Sequence, residues 1–166
     1  MPSTAPSAST CCGTSPDRSR ALSEARRVIR EGPFVIKVST EETQRGDWLL
    51  AYFPRLLAHQ ARYQPEAEIV EELLAAGFPD IRVSRFLYRD AADGSFQAIK
   101  RDPALLLDDA VIMNTAVFQR LPAEELRAGL ATLRIDIASG KAAEVVRRYE
   151  SLVRQYGDGS IFVASP

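Results

Sequence analysis

The chain has 166 residues, 46% of them hydrophobic and 26% charged, with a formal net charge of −1 and a single histidine. That length and composition suit one globular domain with a core of useful size. The near-neutral balance offers nothing to nucleic acid or to an anionic membrane surface, and no apolar run approaches the roughly 20 residues of a spanning helix.

Met1 to Asp17 is rich in Ser, Thr, Pro and Ala. It carries too little apolar surface to offset its ordering entropy, so residues 1–18 are expected to form a disordered tail before a folded domain at 19–166. Cys11 and Cys12 are adjacent, a spacing that strains a mutual disulfide, and read as reduced thiols on that tail. Metal binding needs further ligands at suitable spacing, which His59 alone does not supply, so no metal site is expected. The start lacks the basic and apolar regions of a secretory signal, which makes a cytoplasmic location the expectation.

Leu22, Ala25, Val28 and Ile29 recur at helical spacing, with Arg26, Arg27 and Arg30 largely on the other face and Gly32 as the stop. The arginines read as a solvated face rather than a phosphate patch. Phe34 to Ser39 is an apolar, β-branched run that predicts a strand buried on both faces, as in a parallel sheet, with Lys37 as its odd member. Thr40 to Asp47 reads as a loop. Trp48, Leu49, Leu50, Tyr52 and Phe53 form a dense apolar patch, and after Pro54 a helix is expected through Leu56, Leu57 and His59. Pro65 opens the next helix, with Ile69, Val70, Leu73 and Leu74 as its buried stripe and Gly77 as its end.

Ile81 to Tyr88 predicts a second strand whose alternation slips between Val83 and Phe86, which a bulge or two-sided burial would explain. Asp90 to Gly94 reads as a turn. Asp102 and Pro103 mark a helix start, and Leu105 to Ile112 reads as helical. Leu126, Leu130, Leu133 and Ile137 define a helix that begins at Leu121-Pro122 and closes at Gly140. Ala142 to Tyr156 is a further amphipathic helix. Gly157-Asp158-Gly159 reads as a hairpin turn, followed by a last strand over Ser160 to Ala164.

Three segments, taken in order, resemble the C-terminal half of class I S-adenosylmethionine-dependent methyltransferases of the small-molecule branch. Ala21 to Thr40 is similar to that family's helix and fifth strand, with Arg30-Glu31-Gly32-Pro33 in place of the usual turn and one glycine absent. Trp48 to Val83 resembles the lid-like helices, the next crossover helix and the sixth strand, with Ala75-Ala76-Gly77-Phe78 as its most telling words. Leu121 to Ala164 resembles the closing helices and the seventh strand.

The resemblance implies an α/β, partial Rossmann-like fold of about three strands, two parallel plus an antiparallel terminal strand, with several covering helices. It implies S-adenosylmethionine as cofactor and a small-molecule acceptor. The family's glycine-rich turn after its first strand, and the acidic residue that holds the ribose, find no counterpart in the sequence. No cofactor-binding residue is therefore assigned, and the chain alone is not expected to bind the cofactor.

By resemblance Ser39, Thr40, Trp48 and Tyr52 wall the substrate side, although Trp48 and Tyr52 read equally as core aromatics. His59 is a candidate general base, but an imidazole among Leu57, Ala58 and Ala61 with no partner in the pattern reads first as packed or exposed. The acidic pairs Glu41-Glu42, Glu71-Glu72 and Asp108-Asp109 are sequence neighbours, which do not face each other on a helix. In the family plan the fifth strand lies between the fourth and the seventh. The fourth finds no counterpart in the sequence, so Phe34 to Ser39 is expected to be an apolar edge open to a second copy or to a partner chain. The alternatives to a methyltransferase part are a non-enzymatic remnant or interaction subunit, and an unrelated α/β binding domain.

Overall fold

The computed structural model describes residues 17–56, 63–89 and 96–166. The expected tail and its cysteines, the Leu57–His59 helix segment and the turn at 90–94 lie outside the described residues or almost entirely so. The chain divides into two compact units. The first takes in residues 17–44, 63–86 and 156–166, and the second takes in residues 45–56, 87–89 and 96–155.

The first unit holds α1 (Arg18–Val28), β1 (Phe34–Val38), α2 (Glu41–Gln44), α3 (Glu66–Ala75), β2 (Asp80–Phe86) and β3 (Gly159–Ser165). The sheet has the order β1-β3-β2. Both outer strands pair antiparallel with β3, Phe34 opposite Ala164 and Ile81 opposite the same residue. β1 and β2 therefore run in the same direction but form no parallel ladder. β1 is buried on one face only, through Phe34 and Ile36. Its apolar run matches a two-sided strand because Val35, on the opposite face, is half-buried.

One sheet face carries Phe34, Ile36, Phe162, Ala164 and Ile81, and Leu22 of α1 and Leu73 of α3 pack with them in a single core. Phe34 stacks on Phe78 with centroids 5.5 Å apart. Gly32 and Gly77 adopt φ of +86° and +94°, so the helix stops read from the sequence are backbone turns that favour glycine. Arg26 is no solvated arginine: its Nε donates to Gly77 O at 2.8 Å and its guanidinium lies over the Phe78 ring. Val28 and Leu74, expected in the buried stripes, are 61% and 50% exposed, because α1 and α3 each bury a narrower stripe than their apolar residues would allow. The loop expected after β1 instead forms α2. β2 keeps an unbroken register from Asp80 to Phe86 without a bulge. Its apparent slip arises because Arg85 takes the inward position opposite Ser160.

The second unit is helical. A 3-10 turn at Trp48–Ala51 is followed by α4 (Phe96–Ile99), a 3-10 turn at Pro103–Leu107, α5 (Asp109–Asn114), α6 (Ala123–Ala138) and α7 (Lys141–Tyr156). Its core contains Leu49, Phe53, Leu56, Ile99, Leu106, Phe118 and Leu133. Each such side chain contributes roughly 1.5–3 kcal/mol by leaving water. Asp102 caps as expected, accepting from Ala104 N at 2.9 Å. The helix expected from Leu105 to Ile112 is broken at Asp108, whose carboxylate accepts from Ala110 N at 2.8 Å and starts α5 afresh. Gly157-Asp158-Gly159 links α7 to β3, a helix-to-strand turn rather than a hairpin.

Gly129 of α6 is packed against the first apolar segment of this unit. A Cβ there would lie 2.3 Å from Phe53 Cε1 and 2.6 Å from the Tyr52 carbonyl oxygen. Alanine would gain up to about 1 kcal/mol in helix propensity but incur roughly 1–3 kcal/mol of overpacking. Because a backbone oxygen cannot swing aside, Gly129→Ala is expected to destabilise by about 1–2 kcal/mol in urea unfolding; an unchanged or raised midpoint would count against this packing.

Candidate functional site

The carboxyl ends of β1 and β2 lie at one end of the first unit's sheet, beside the start of β3. In α/β folds that end is where ligands bind. Ser39 and Thr40 follow β1, and α2 then carries Glu42, Thr43 and Gln44. The chain returns here at Gln64, whose carbonyl accepts from Glu41 N at 3.0 Å, and Pro65 then directs it into α3.

The centre of this end is Glu66, the first residue of α3. Arg85 of β2 grips its carboxylate with two bonds, Nε to Oε1 at 3.0 Å and Nη2 to Oε2 at 2.7 Å. Ser160 of β3 donates to Oε1 at 2.5 Å. The Glu66 amide in turn donates to both oxygens of Glu42, at 3.2 and 3.1 Å. The Arg85 hydrogen bonds hold the Glu66 carboxyl below the usual glutamate range, outweighing its partial burial. A carboxylate kept ionised and engaged on both oxygens is a poor proton acceptor, so Glu66 acts as a tie between α3, β2 and β3. Tyr156 lies against the same arginine, with its ring 5.5 Å from the Arg85 guanidinium.

Beside this tie are two buried side chains with an unpaired polar atom. Thr40 is fully buried with Oγ1 unbonded, and Gln44 is 3% exposed with Oε1 unbonded. The sequence reading reached Ser39 and Thr40 but missed Gln44, Glu66, Arg85 and Ser160. The slip in β2's alternation at Arg85 was the only local trace of the tie.

Trp48 and Tyr52, the other substrate-side expectations, belong to the second unit's core, at 3% and 6% exposure. Their rings meet edge to face with centroids 5.9 Å apart. Trp48 Nε1 donates to Lys100 O at 2.8 Å, and the Tyr52 hydroxyl donates to Asp136 Oδ2 at 3.0 Å. Lys141 Nζ stands 3.4 Å from the other Asp136 oxygen. Asp47 caps Leu49 N and places Oδ2 3.1 Å from Lys100 Nζ, a buried ion pair without the angles of a hydrogen bond. Ser39 and Thr40 thus fall in one unit and Trp48 and Tyr52 in the other. His59 lies outside the described residues.

Gly157 and Gly159 lie at the same end of the sheet, before and at the start of β3. A Cβ on Gly157 would sit 2.9 Å from Phe86 O, and one on Gly159 would sit 2.6 Å from Phe86 Cζ. Phe86 fills the space these glycines leave, and Asp158 N donates to Phe86 O at 2.8 Å. The turn serves strand packing, with Phe86 set against both glycines. Among the described residues no cluster suits a metal ion, and no helix is long and apolar enough to cross a membrane.

No family model and no curated protein matches the sequence. The fold matches a crystal structure from Anabaena variabilis ATCC 29413, provisionally described as a methyltransferase from an antibiotic biosynthesis pathway. The TM-score is 0.76 and the identity 22%, over 96% of this chain. The chain spans 65% of the length of that protein. Its fold is methyltransferase-like.

Two titrations check this geometry. Because Glu66's folded pKa is depressed, its contribution is complete above the unfolded value near 4.3 and is lost as pH falls through the folded value. Glu66→Gln is expected to reduce stability by about 1–2 kcal/mol at pH 7, discounted for the partial exposure of the pair. Wild type should lose that advantage on acidification below about pH 4.3, measured by urea unfolding across pH. Burial, then the Asp136 hydrogen bond, pushes the Tyr52 hydroxyl up to about 12. Stability should therefore fall as pH rises above about 10. Absorbance at the phenolate band should show one late-ionising tyrosine that Tyr52→Phe removes.

Proposed function

We propose that this chain is the substrate-side portion of an S-adenosylmethionine-dependent methyltransferase acting on a small molecule. The observation that carries the reading is the match of nearly the whole chain to a structure described as a methyltransferase. The sheet order supports it, because the closing strand lies beside β1 as the family plan implies. In this reading Ser39 and Thr40 face the acceptor from the end of β1. The cofactor would supply an electrophilic methyl group. The described residues offer no fit for it, since the one glycine pair at the sheet end is filled by Phe86. The protein's own residues in this portion orient the acceptor and shield it from water, and no methyl-transfer step is assigned to them.

The complementary half would then lie along β1. Among the described residues β1 pairs on one side only, through β3. A second copy or another polypeptide segment would continue the sheet there. An interaction subunit that completes or regulates a partner chain is the second reading, and the same one-sided strand favours it.

Calorimetry of the isolated chain with S-adenosylmethionine is expected to show no binding heat; a micromolar dissociation constant would place a cofactor site within these residues and overturn the division proposed. Sizing with light scattering is expected to give a dimer or larger species, and a monodisperse monomer at high concentration would remove the case for pairing along β1.

A further inference from the structure

Folded proteins rarely leave a buried polar side chain unpaired, and those that do mark a place completed by water or a ligand. Thr40 Oγ1 and Gln44 Oε1 are two such atoms in one short stretch. Gln64 Oε1 is unpaired nearby, on a residue that is only half-buried.

Thr43 links the first two without satisfying either. Its hydroxyl donates to Thr40 O at 2.9 Å, accepts from Thr40 N at 2.9 Å and accepts from Gln44 Nε2 at 3.5 Å. Its one hydrogen is committed to the Thr40 carbonyl, so the Gln44 amide must meet it with the NH2 end. That fixes the orientation of Gln44 and leaves Oε1 as an open acceptor. Thr40 Oγ1, by contrast, has a hydrogen to give. The two residues therefore carry one unmet donor and one unmet acceptor, neither of them charged.

We propose that Thr40 and Gln44 are the recognition point for a hydroxyl group of the acceptor molecule. The proposal rests on the substrate-side reading of the β1 end. The ligand hydroxyl accepts from Thr40 Oγ1 and donates to Gln44 Oε1. An ammonium group would leave the Thr40 hydrogen without an acceptor. A carboxylate would leave Gln44 Oε1 without a donor and bring a charge into a buried place. Both residues are recognition residues, since neither an amide nor an alcohol takes up a proton at neutral pH.

The test is an NMR titration of the full chain labelled with nitrogen-15 and carbon-13. Phenol is the hydroxyl probe, and anisole, the same ring without the hydrogen, is the control. Phenol is expected to shift the Thr40 methyl and Gln44 side-chain amide signals saturably, with affinity about tenfold above anisole, the equivalent of one hydrogen bond. Thr40→Val and Gln44→Met should each weaken phenol binding about tenfold while leaving the thermal midpoint unchanged or higher. Absent shifts, or equal responses to phenol and anisole, would overturn the proposal in wild type regardless of how the variants fold. Variants that lose thermal stability while phenol binding is unchanged would also overturn it, as the signature of a structural water only. The titration contains no S-adenosylmethionine, so its failure is distinguishable from failure of the calorimetry or the sizing.

Discussion

The first unit depends on β3, the last strand in sequence and the middle strand of the sheet. Among the described residues β1 and β2 make no ladder with each other, and each pairs only with Gly159–Ser165. Phe34 waits for Ala164 and Ile81 waits for the same residue, so the sheet is built from contacts of long sequence separation. The burial of β3 follows from that position: Ser160, Phe162 and Ala164 are all fully buried, one per row across the sheet. Gly159 has no side chain because the Phe86 ring occupies its place.

The same strand carries the change from apolar to polar chemistry. Two rows of the covered face are hydrocarbon, through Ala164 and Phe162. The third is Ser160, opposite Arg85, and both are bonded to Glu66. An ionised carboxylate held this way fixes the start of α3 against two strands, which a hydrocarbon contact would not orient. The helical unit uses polar pairs similarly, with Tyr52 on Asp136 and Asp47 beside Lys100. Such pairs specify arrangement more than they add stability, because desolvation offsets much of their attraction. Against this background of committed polar groups, the open atoms of Thr40 and Gln44 stand out.

The sequence made visible what depends on near neighbours. Gly32, Gly77 and Gly140 stop helices with positive φ, Asp102 caps as read, and the apolar stripes find α3, α6 and α7. It hid what depends on distant partners. A short apolar run such as Phe34–Val38 cannot reveal the direction of its neighbour: β3 pairs with it antiparallel, while β1 and β2 run in the same direction without pairing. Asp108 looked like part of a helix because its capping bond competes with continuation, and only packing decides the contest. The site divided the same way. Thr40 was reached through the strand before it, whereas the Glu66 tie joins residues 19 and 94 positions apart. Trp48 and Tyr52 resolved as core because their polar atoms are already bonded inside the helical unit.

The two outer strands are built differently, and the difference bears on what lies beyond them. β2 shows Asp80, Arg82 and Ser84 to solvent, the polar dress of a strand that ends a sheet. β1 has one charge, Lys37, whose ammonium is drawn back over the Phe86 ring, 4.9 Å from its centre, toward the far strand. Its remaining residues are Phe34, Val35, Ile36 and Val38. Edge strands with little charge and no proline or bulge invite another strand, and the sequence of β1 is close to that of an interior strand. The asymmetry gives a physical reason for the sheet to continue past β1 and stop at β2, on the side where the proposed reading puts the cofactor half. It also places Thr40 and Gln44 next to the strand at which that continuation would begin, where an acceptor and a cofactor could be brought together.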